Sequence, residues 1–305
     1  MRMIGEIFYW IFNMSLVASL MGIIVLLLRK IRSVPKRYAV FLWIVPFFRM
    51  CVPLGLNNPY SLLSLVSKFT TRTVTVYNEA SFELSITNAL MAANNYFPIK
   101  YRVSLYEKLF DTAGIVWLTG TVISLGILGV LYGITMREIR DAQCVKDNVY
   151  VSSKVDSPAV YGILHPKIVF PETSEDLSVK YVLAHEKAHI RRKDNLWRIL
   201  GFITACIHWF NPLSWVFLKC FLEDTELACD EEVLRHLNPE ERKEYASSLL
   251  DQVPDRKVFA SAFGGAKIRT RIEHIVSYRK ITGVSAVCFM TLIAALIVTM
   301  ITNAG

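Results

Sequence analysis

The chain has 305 residues, 53% of them hydrophobic, a mean hydropathy of +0.37 and a formal net charge of +8. That length allows two soluble domains or one membrane-embedded unit, and the hydropathy favours the second. Lys and Arg gather beside apolar runs, the pattern of membrane orientation rather than nucleic-acid contact. No Gly-rich phosphate loop or nucleic-acid motif occurs, so direct nucleic-acid binding is not expected. None of the six cysteines forms a C-x-x-C pair, so neither a redox motif nor a cysteine zinc site is suggested.

Residues 7–28 are nearly all apolar and long enough to span a bilayer. The basic cluster Arg29-Lys30-Ile31-Arg32, then Lys36-Arg37, comes after this run, the reverse of the order in a signal peptide. The positive-inside rule puts the N-terminus outside and residues 29–37 in the cytoplasm. Residues 38–56 read as a second span containing Pro46, Arg49 and Pro53. Arg49 falls in the outer half, where snorkelling to the outer interface is expected. Residues 57–111 are expected to form an extracellular loop, with a strand at 70–76 and a surface helix at 88–96.

Residues 112–136 read as a third span. Gly114, Gly120, Gly126, Gly129 and Gly133 recur at intervals that let helices pack closely in lipid, and a homo-oligomer stays open. Arg137, Arg140 and Lys146 return the chain to the cytoplasm. Val149-Tyr150-Val151 and Ile168-Val169-Phe170 look like short strands. Between them, Ala159, Val160 and Tyr161 are the candidates for a sheet edge that pairs with an extended substrate. A plain hairpin supporting the next helix is the alternative. His165, before a proline in a turn, reads as structural.

Thr173 and Asp176 have capping-box spacing and open a helix that runs to about residue 193. It carries His185-Glu186-Lys187-Ala188-His189, the pattern H-E-x-x-H. Positions four apart share a helix face, so both imidazoles can grip one zinc ion. Glu186 lies beside them, suited to take a proton from the attacking water. The basic residues Arg191, Arg192 and Lys193 suit a helix C-terminus, so they and Asp194 need no catalytic role.

Residues 196–222 are strongly apolar but interrupted by His208-Trp209-Phe210-Asn211-Pro212. A single crossing would put the two histidines on one side of the bilayer and every residue after 222 on the other. The Asn-Pro turn points to two short helices that dip in, lie on the surface, or roof the protease domain. His208 reads as a satisfied core histidine, with a catalytic helper as the lesser reading. A third zinc ligand is still needed, and Glu226 fits, with Glu223 as the competitor. Asp230 lies one turn beyond Glu226, placed to orient a ligating imidazole. Glu231 and Glu232 read as a solvated acidic face.

A helix starts at Pro239 and runs to about Leu250. The small-residue run 259–265 reads as flexible. Lys267, Arg269, Arg271, Arg279 and Lys280 read as an anchor to anionic lipid. Residues 281–301 are the last span, leaving 302–305 outside.

Five pieces, in order, resemble the BlaR/MecR-type integral membrane zinc metallopeptidases. They are Ser157-Pro158…Gly162…Pro166-Lys167…Pro171, His185-Glu186…His189, His208-Trp209-Phe210-Asn211-Pro212, Glu226…Ala228-Cys229-Asp230, and Arg271-Ile272. The resemblance implies a gluzincin-like site related to that of the CAAX prenyl proteases. His185, His189 and Glu226 would bind zinc, Glu186 would be the base, and Asp230 would support the ligands. Members of that family sense β-lactams outside, cleave themselves and trigger loss of a cytoplasmic repressor. Those sensors carry a penicillin-binding domain after the last span; with none in residues 1–305 and no S-x-x-K motif in the outside loop, direct acylation by these residues is not expected, whether the chain is a sensorless homologue or a truncated one.

The expected fold is mostly α and integral to the plasma membrane. Four transmembrane helices carry a cytoplasmic gluzincin-like zinc protease domain, residues 137–280, that contains a small β-sheet. Both termini lie outside. The expected activity is a zinc endopeptidase in signalling that relieves a transcriptional repressor, with self-cleavage in 259–265 as a further hypothesis. Expected partners are membrane lipid and a protein or peptide substrate, including a cytoplasmic repressor. Two other readings stay open: a non-catalytic membrane receptor or scaffold, and a membrane zincin that processes peptides without gene control.

Overall fold

A computed structural model describes residues 2–31, 34–52, 57–58, 104–172, 176–250, 268–280 and 282–304. The expected strand at 70–76, the helix at 88–96, the run 259–265, Lys267 and Thr173 of the capping box lie outside the described residues. The chain runs α1 (Arg2–Arg29), α2 (Lys36–Ala39), a 3-10 turn (Val40–Trp43), α3 (Ile44–Cys51), β1 (Asn57–Asn58) and α4 (Ser104–Glu138). Then come β2 (Gln143–Lys146), β3 (Val149–Ser152), β4 (Ala159–Tyr161), β5 (Lys167–Pro171), α5 (Asp176–Arg192), α6 (Asp194–Ile207) and α7 (Pro212–Leu234). It closes with α8 (Pro239–Leu250), α9 (Ile268–Ser277), α10 (Gly283–Ile301) and β6 (Asn303–Ala304), which pairs with β1.

Among the described residues three helices are long and apolar enough to cross a membrane: Met3–Arg29, Leu109–Glu138 and Gly283–Ile301. The expected second span is broken instead into α2, the 3-10 turn and α3. Pro46 has no N–H to return to the Leu42 carbonyl, and the tighter turn lies just upstream of that missing bond. Arg49 finds protein partners at the end of α10. It is 3% exposed and donates to the Met300 carbonyl (3.4 Å) and the Thr302 carbonyl (2.9 Å). These lie at the C-terminal end of α10, where carbonyls lack partners within the helix and attract a cation.

α6 and α7 form a hairpin that runs alongside α1. At its tip Asn211 caps α7 by accepting from the Leu213 N–H, with Pro212 at the first helical position. The Asn211 amide also donates to Ser15 Oγ (2.7 Å) and Ser19 Oγ (2.8 Å) of α1. Phe210 packs edge-on against Phe8, with ring centroids 5.5 Å apart. At the other end Arg29 holds Asp224 through Nε at 2.9 Å. From Ser15 to Arg29 is about 21 Å of helix, so the hairpin dips that far along α1. Gly22 permits the close approach, since a Cβ there would lie 2.1 Å from the Phe217 ring. One apolar core joins these elements, with Met21, Trp43, Phe217 and Leu218 at its centre.

The small sheet has the order β2-β3-β5-β4, with β3 and β5 parallel and β4 antiparallel to β5. The residues between the two expected strands form the edge strand β4, which makes an antiparallel hairpin with β5. Ile168 and Phe170 of β5 pack against Val182 of α5, which seats the H-E-x-x-H helix on the sheet. A second cluster, with Tyr181, Leu234, Tyr245 and Ile275, ties α5 to α7, α8 and α9.

Candidate metal centre

His185 and His189 project from α5 into a crevice facing α7, and both are buried. The helix stops at Lys193, which adopts the left-handed conformation (φ 57°). That turn starts α6 at once and folds Asp194 back onto His189, with Oδ2 2.8 Å from Nδ1. Asp230 of α7 does the same for His185, with Oδ1 3.2 Å from Nδ1. The Tyr245 hydroxyl sits between them, 2.5 Å from Asp230 Oδ1 and 3.1 Å from His185 Nδ1. Each ring is therefore held at Nδ1 by its own carboxylate, leaving Nε2 to face the crevice.

The two Nε2 atoms are 3.1 Å apart. Glu226 Oε2 is 3.4 Å from His185 Nε2, and Oε1 is 3.7 Å from His189 Nε2. Donors about 2.0–2.1 Å from a tetrahedral ion lie roughly 3.3 Å from one another, so the three residues fit one metal ion. Glu223, the competing ligand, turns away and pairs with Arg29 at 2.6 Å. A second group, His189, Asp194 and Cys229, is also close enough to hold an ion. Its His189 atom is the Nδ1 already bonded to Asp194. Burial and the Asp194 charge push the Cys229 thiol well up, so it keeps its proton beside Asp194 Oδ2 (3.1 Å). The first group is the better metal site.

Two cations complete the site. Arg198 of α6 donates to Glu226 Oε1 at 2.6 Å. Arg271 of α9 holds Asp230 with two bonds, at 2.9 and 2.6 Å, and its Nη1 lies 3.7 Å from Glu226 Oε2. The expected lipid anchor is thus wrong for Arg271, which turns inward because Asp230 is fully buried and needs a cation. Burial alone would raise the Glu226 carboxyl, but His189, His185 and Arg198 hold it well below the usual range. Asp230 is likewise depressed, burial being outweighed by Arg271 and His185. Burial and Arg271 oppose a proton on His185, yet Asp230 and Glu226 raise its pKa to about 9.

Glu186 is buried on the same helix turn. Tyr161 of β4 lies within reach of its charge: burial first, then Glu138 and Glu186, raise the tyrosine pKa. The Asn195 amide, next to Asp194, donates to the carbonyls of Val160 (3.1 Å) and Gly162 (2.9 Å). The edge strand with Ala159, Val160 and Tyr161 is thereby strapped to the helix that orients His189. Gly162 takes φ +89°, and a Cβ there would meet the His165 carbonyl at 2.8 Å.

His208 is not part of the site. It is buried with Nε2 3.1 Å from the Met50 carbonyl, at the opposite end of α6 from Asp194, about 20 Å along the helix. Glu231 is not solvated: its carboxylate accepts the Lys36 and Arg37 N–H groups at 2.8 and 2.9 Å and caps α2. Glu232 pairs with Arg191 at 2.9 Å and Arg235 at 3.3 Å. Sequence spacing gives no role at the site to Asp194, Arg198 or Tyr245, and it marks Arg271 only as part of the family resemblance. A carboxylate directly after the helix-ending basic run was the one visible sign of Asp194.

The sequence profile of a family described as BlaR1 peptidase M56 matches residues 9–275. The chain is similar to the methicillin resistance mecR1 protein of Staphylococcus aureus, 34% identical over 103 residues, which is 32% of this chain and 18% of that protein. It is similar to regulatory protein BlaR1 of Bacillus licheniformis, 28% identical over 127 residues, 41% of this chain and 21% of the relative. Regulatory protein BlaR1 of Staphylococcus aureus is 32% identical over 112 residues, 35% of this chain and 19% of that protein. The chain spans about a fifth of the length of the curated relatives it matches.

Proposed function

Because the chain belongs to the BlaR1 peptidase M56 family, we propose that it is a membrane-embedded zinc endopeptidase that cleaves peptide bonds at the cytoplasmic face. The observation that carries this reading is the convergence of two imidazoles and one carboxylate, from two helices, at tetrahedral spacing. Two imidazoles and a carboxylate suit zinc, and a third ligand from a later helix is the gluzincin-like arrangement. When bound, the ion supplies a Lewis acid and an activated water.

The chain's own residues do the rest. Asp194 at His189 Nδ1, and the Tyr245 hydroxyl backed by Asp230 at His185 Nδ1, fix both rings with Nε2 toward the ligand. Glu186 accepts the proton of the attacking water and delivers it to the leaving amine. Arg198 and Arg271 hold Glu226 ionised and place positive charge beside the reacting carbonyl. An extended substrate lies along β4. Asn195 already takes the carbonyls of Val160 and Gly162, so the strand offers its N–H groups to that substrate.

In this reading the chain crosses the membrane four times, through α1, the broken helix from Lys36 to Cys51, α4 and α10. The parts of 137–280 on either side of the α6–α7 hairpin face the cytoplasm, the hairpin itself dips into the bilayer beside α1, and both termini lie outside. The basic residues Arg29, Lys36, Arg37, Arg137 and Arg140 at the inner ends support this orientation. The relatives' description as regulatory proteins supports a signalling role; relief of a cytoplasmic repressor and self-cleavage in 259–265 are the form we propose for it. The test is protein reconstituted in vesicles, assayed for bound zinc and for peptide hydrolysis. The expected result is one zinc per chain and hydrolysis abolished in Glu186→Gln; hydrolysis and downstream response surviving that change would overturn the reading.

A further inference from the structure

A cavity of about 380 Å³ opens between the broken helix Lys36–Cys51 and α6. It is within the usual range for ligand pockets, roughly 300–1,000 Å³. Its walls are Phe41, Phe47, Trp197, Leu200 and Gly201, and one end reaches Arg192 and Asp194. The rim is half exposed: Phe41 is 49% exposed, Trp197 45% and Leu200 44%. From Asp194 to Thr204 the groove runs along about 15 Å of α6.

The polar groups of the wall are already engaged. Cys51 Sγ and Thr204 Oγ1 lie 3.3 Å apart, and Thr204 also donates to the Leu200 carbonyl. The Trp43 indole N–H donates to Asp224. Asp194 is shared between His189 and Arg192. A peptide in this groove would find nothing for its amides, which is costly in an apolar setting. An acyl chain has no such requirement. Arg192 is the exception at the mouth. It reaches Asp194 through Nε at 3.3 Å, and among the described residues its two Nη groups take no partner. Arg191 and Lys193 flank it.

We propose that this groove is a binding site for an anionic glycerophospholipid, with one acyl chain along α6 and the phosphate on the Arg192 guanidinium. The proposal rests on the membrane-embedded reading. The headgroup would draw on the same guanidinium that Asp194 holds, and Asp194 fixes His189, so lipid occupancy would touch the geometry of the metal centre without entering it.

The experiment is native mass spectrometry of the full chain released from vesicles of mixed phosphatidylglycerol and phosphatidylcholine. One retained phospholipid per chain is expected, with a roughly fivefold preference for phosphatidylglycerol from one cation. Arg192→Gln is expected to keep a lipid but lose the preference. Leu200→Trp, which adds bulk at a half-exposed wall, is expected to lose the retained lipid. A lipid count unchanged by Leu200→Trp, no charge preference in the unmodified chain, or a peptide as the retained mass would each overturn the proposal. Failure to insert into vesicles at all would sink the membrane reading instead, so the two outcomes are distinguishable.

Discussion

Oδ2 of Asp194 lies 2.8 Å from Nδ1 of His189, five residues earlier and on the preceding helix. The left-handed Lys193 between the two helices makes that contact, and the ring is fixed with Nε2 toward Glu226. Asp194→Asn is therefore expected to weaken metal binding about 10- to 100-fold, the usual loss for a partner behind a ligand. Asp230→Asn should do the same through His185. Competition against a fluorescent zinc chelator measures both, and unchanged affinity in Asp194→Asn would remove the orienting role.

Glu186→Gln is expected to keep the metal and lose catalysis. A general base contributes about 10²–10⁴-fold, so kcat should fall by that factor while zinc content stays at that of the parent. Dialysis against a chelator should abolish hydrolysis in the parent chain, and added zinc should restore it. Loss of metal in Glu186→Gln would instead mark the residue as a ligand or a prop.

Metal uptake should depend on pH with a defined sign. In the metal-free protein His185 is held protonated up to about pH 9, and a ligating imidazole must lose that proton. Apparent affinity should rise about tenfold per pH unit from 7 toward 9 and then level off. The raised folded pKa also stabilises the metal-free protein. That contribution is complete below the ordinary value of 6.5 and is lost as pH climbs through about 9. Titration calorimetry in buffers of different ionisation enthalpy should show roughly one proton released at pH 7.5; zero release would contradict the assignment.

Arg271 and Arg269 are two residues apart, yet their fates should differ. Arg271→Gln leaves Asp230 buried without its cation, at a cost of about 3 kcal/mol. Arg269 is largely exposed and, among the described residues, pairs only with Glu273 one turn away, so Arg269→Gln should change stability by no more than about 0.5 kcal/mol. Thermal unfolding in micelles compares them. Equal, small shifts would return Arg271 to the role of a surface charge.

The motif helix, the two flanking strands and the shared face of Glu226 and Asp230 can be read directly from residue spacing, because each depends on one helix turn or one short run. The residues that spacing hid come from elsewhere in the chain. Arg271 looked like one more juxtamembrane charge, since nothing local shows that Asp230, 41 positions earlier, lies fully buried opposite it. Tyr245 and Arg198 were hidden for the same reason. Glu231 looked solvated until α2 brought its free N–H groups against it. The second span read as continuous because hydropathy does not register the bond that Pro46 removes.

α7 does two jobs at once. It supplies Glu226, and it is riveted to α1 at two heights, at its cap by Asn211 to Ser15 and Ser19 and near its middle by Asp224 to Arg29. Two rivets on parallel rods take up the slack between them. The helix that carries Glu226 is therefore tied to the first helix over about 21 Å of its length, the second tie falling two residues before the carboxylate.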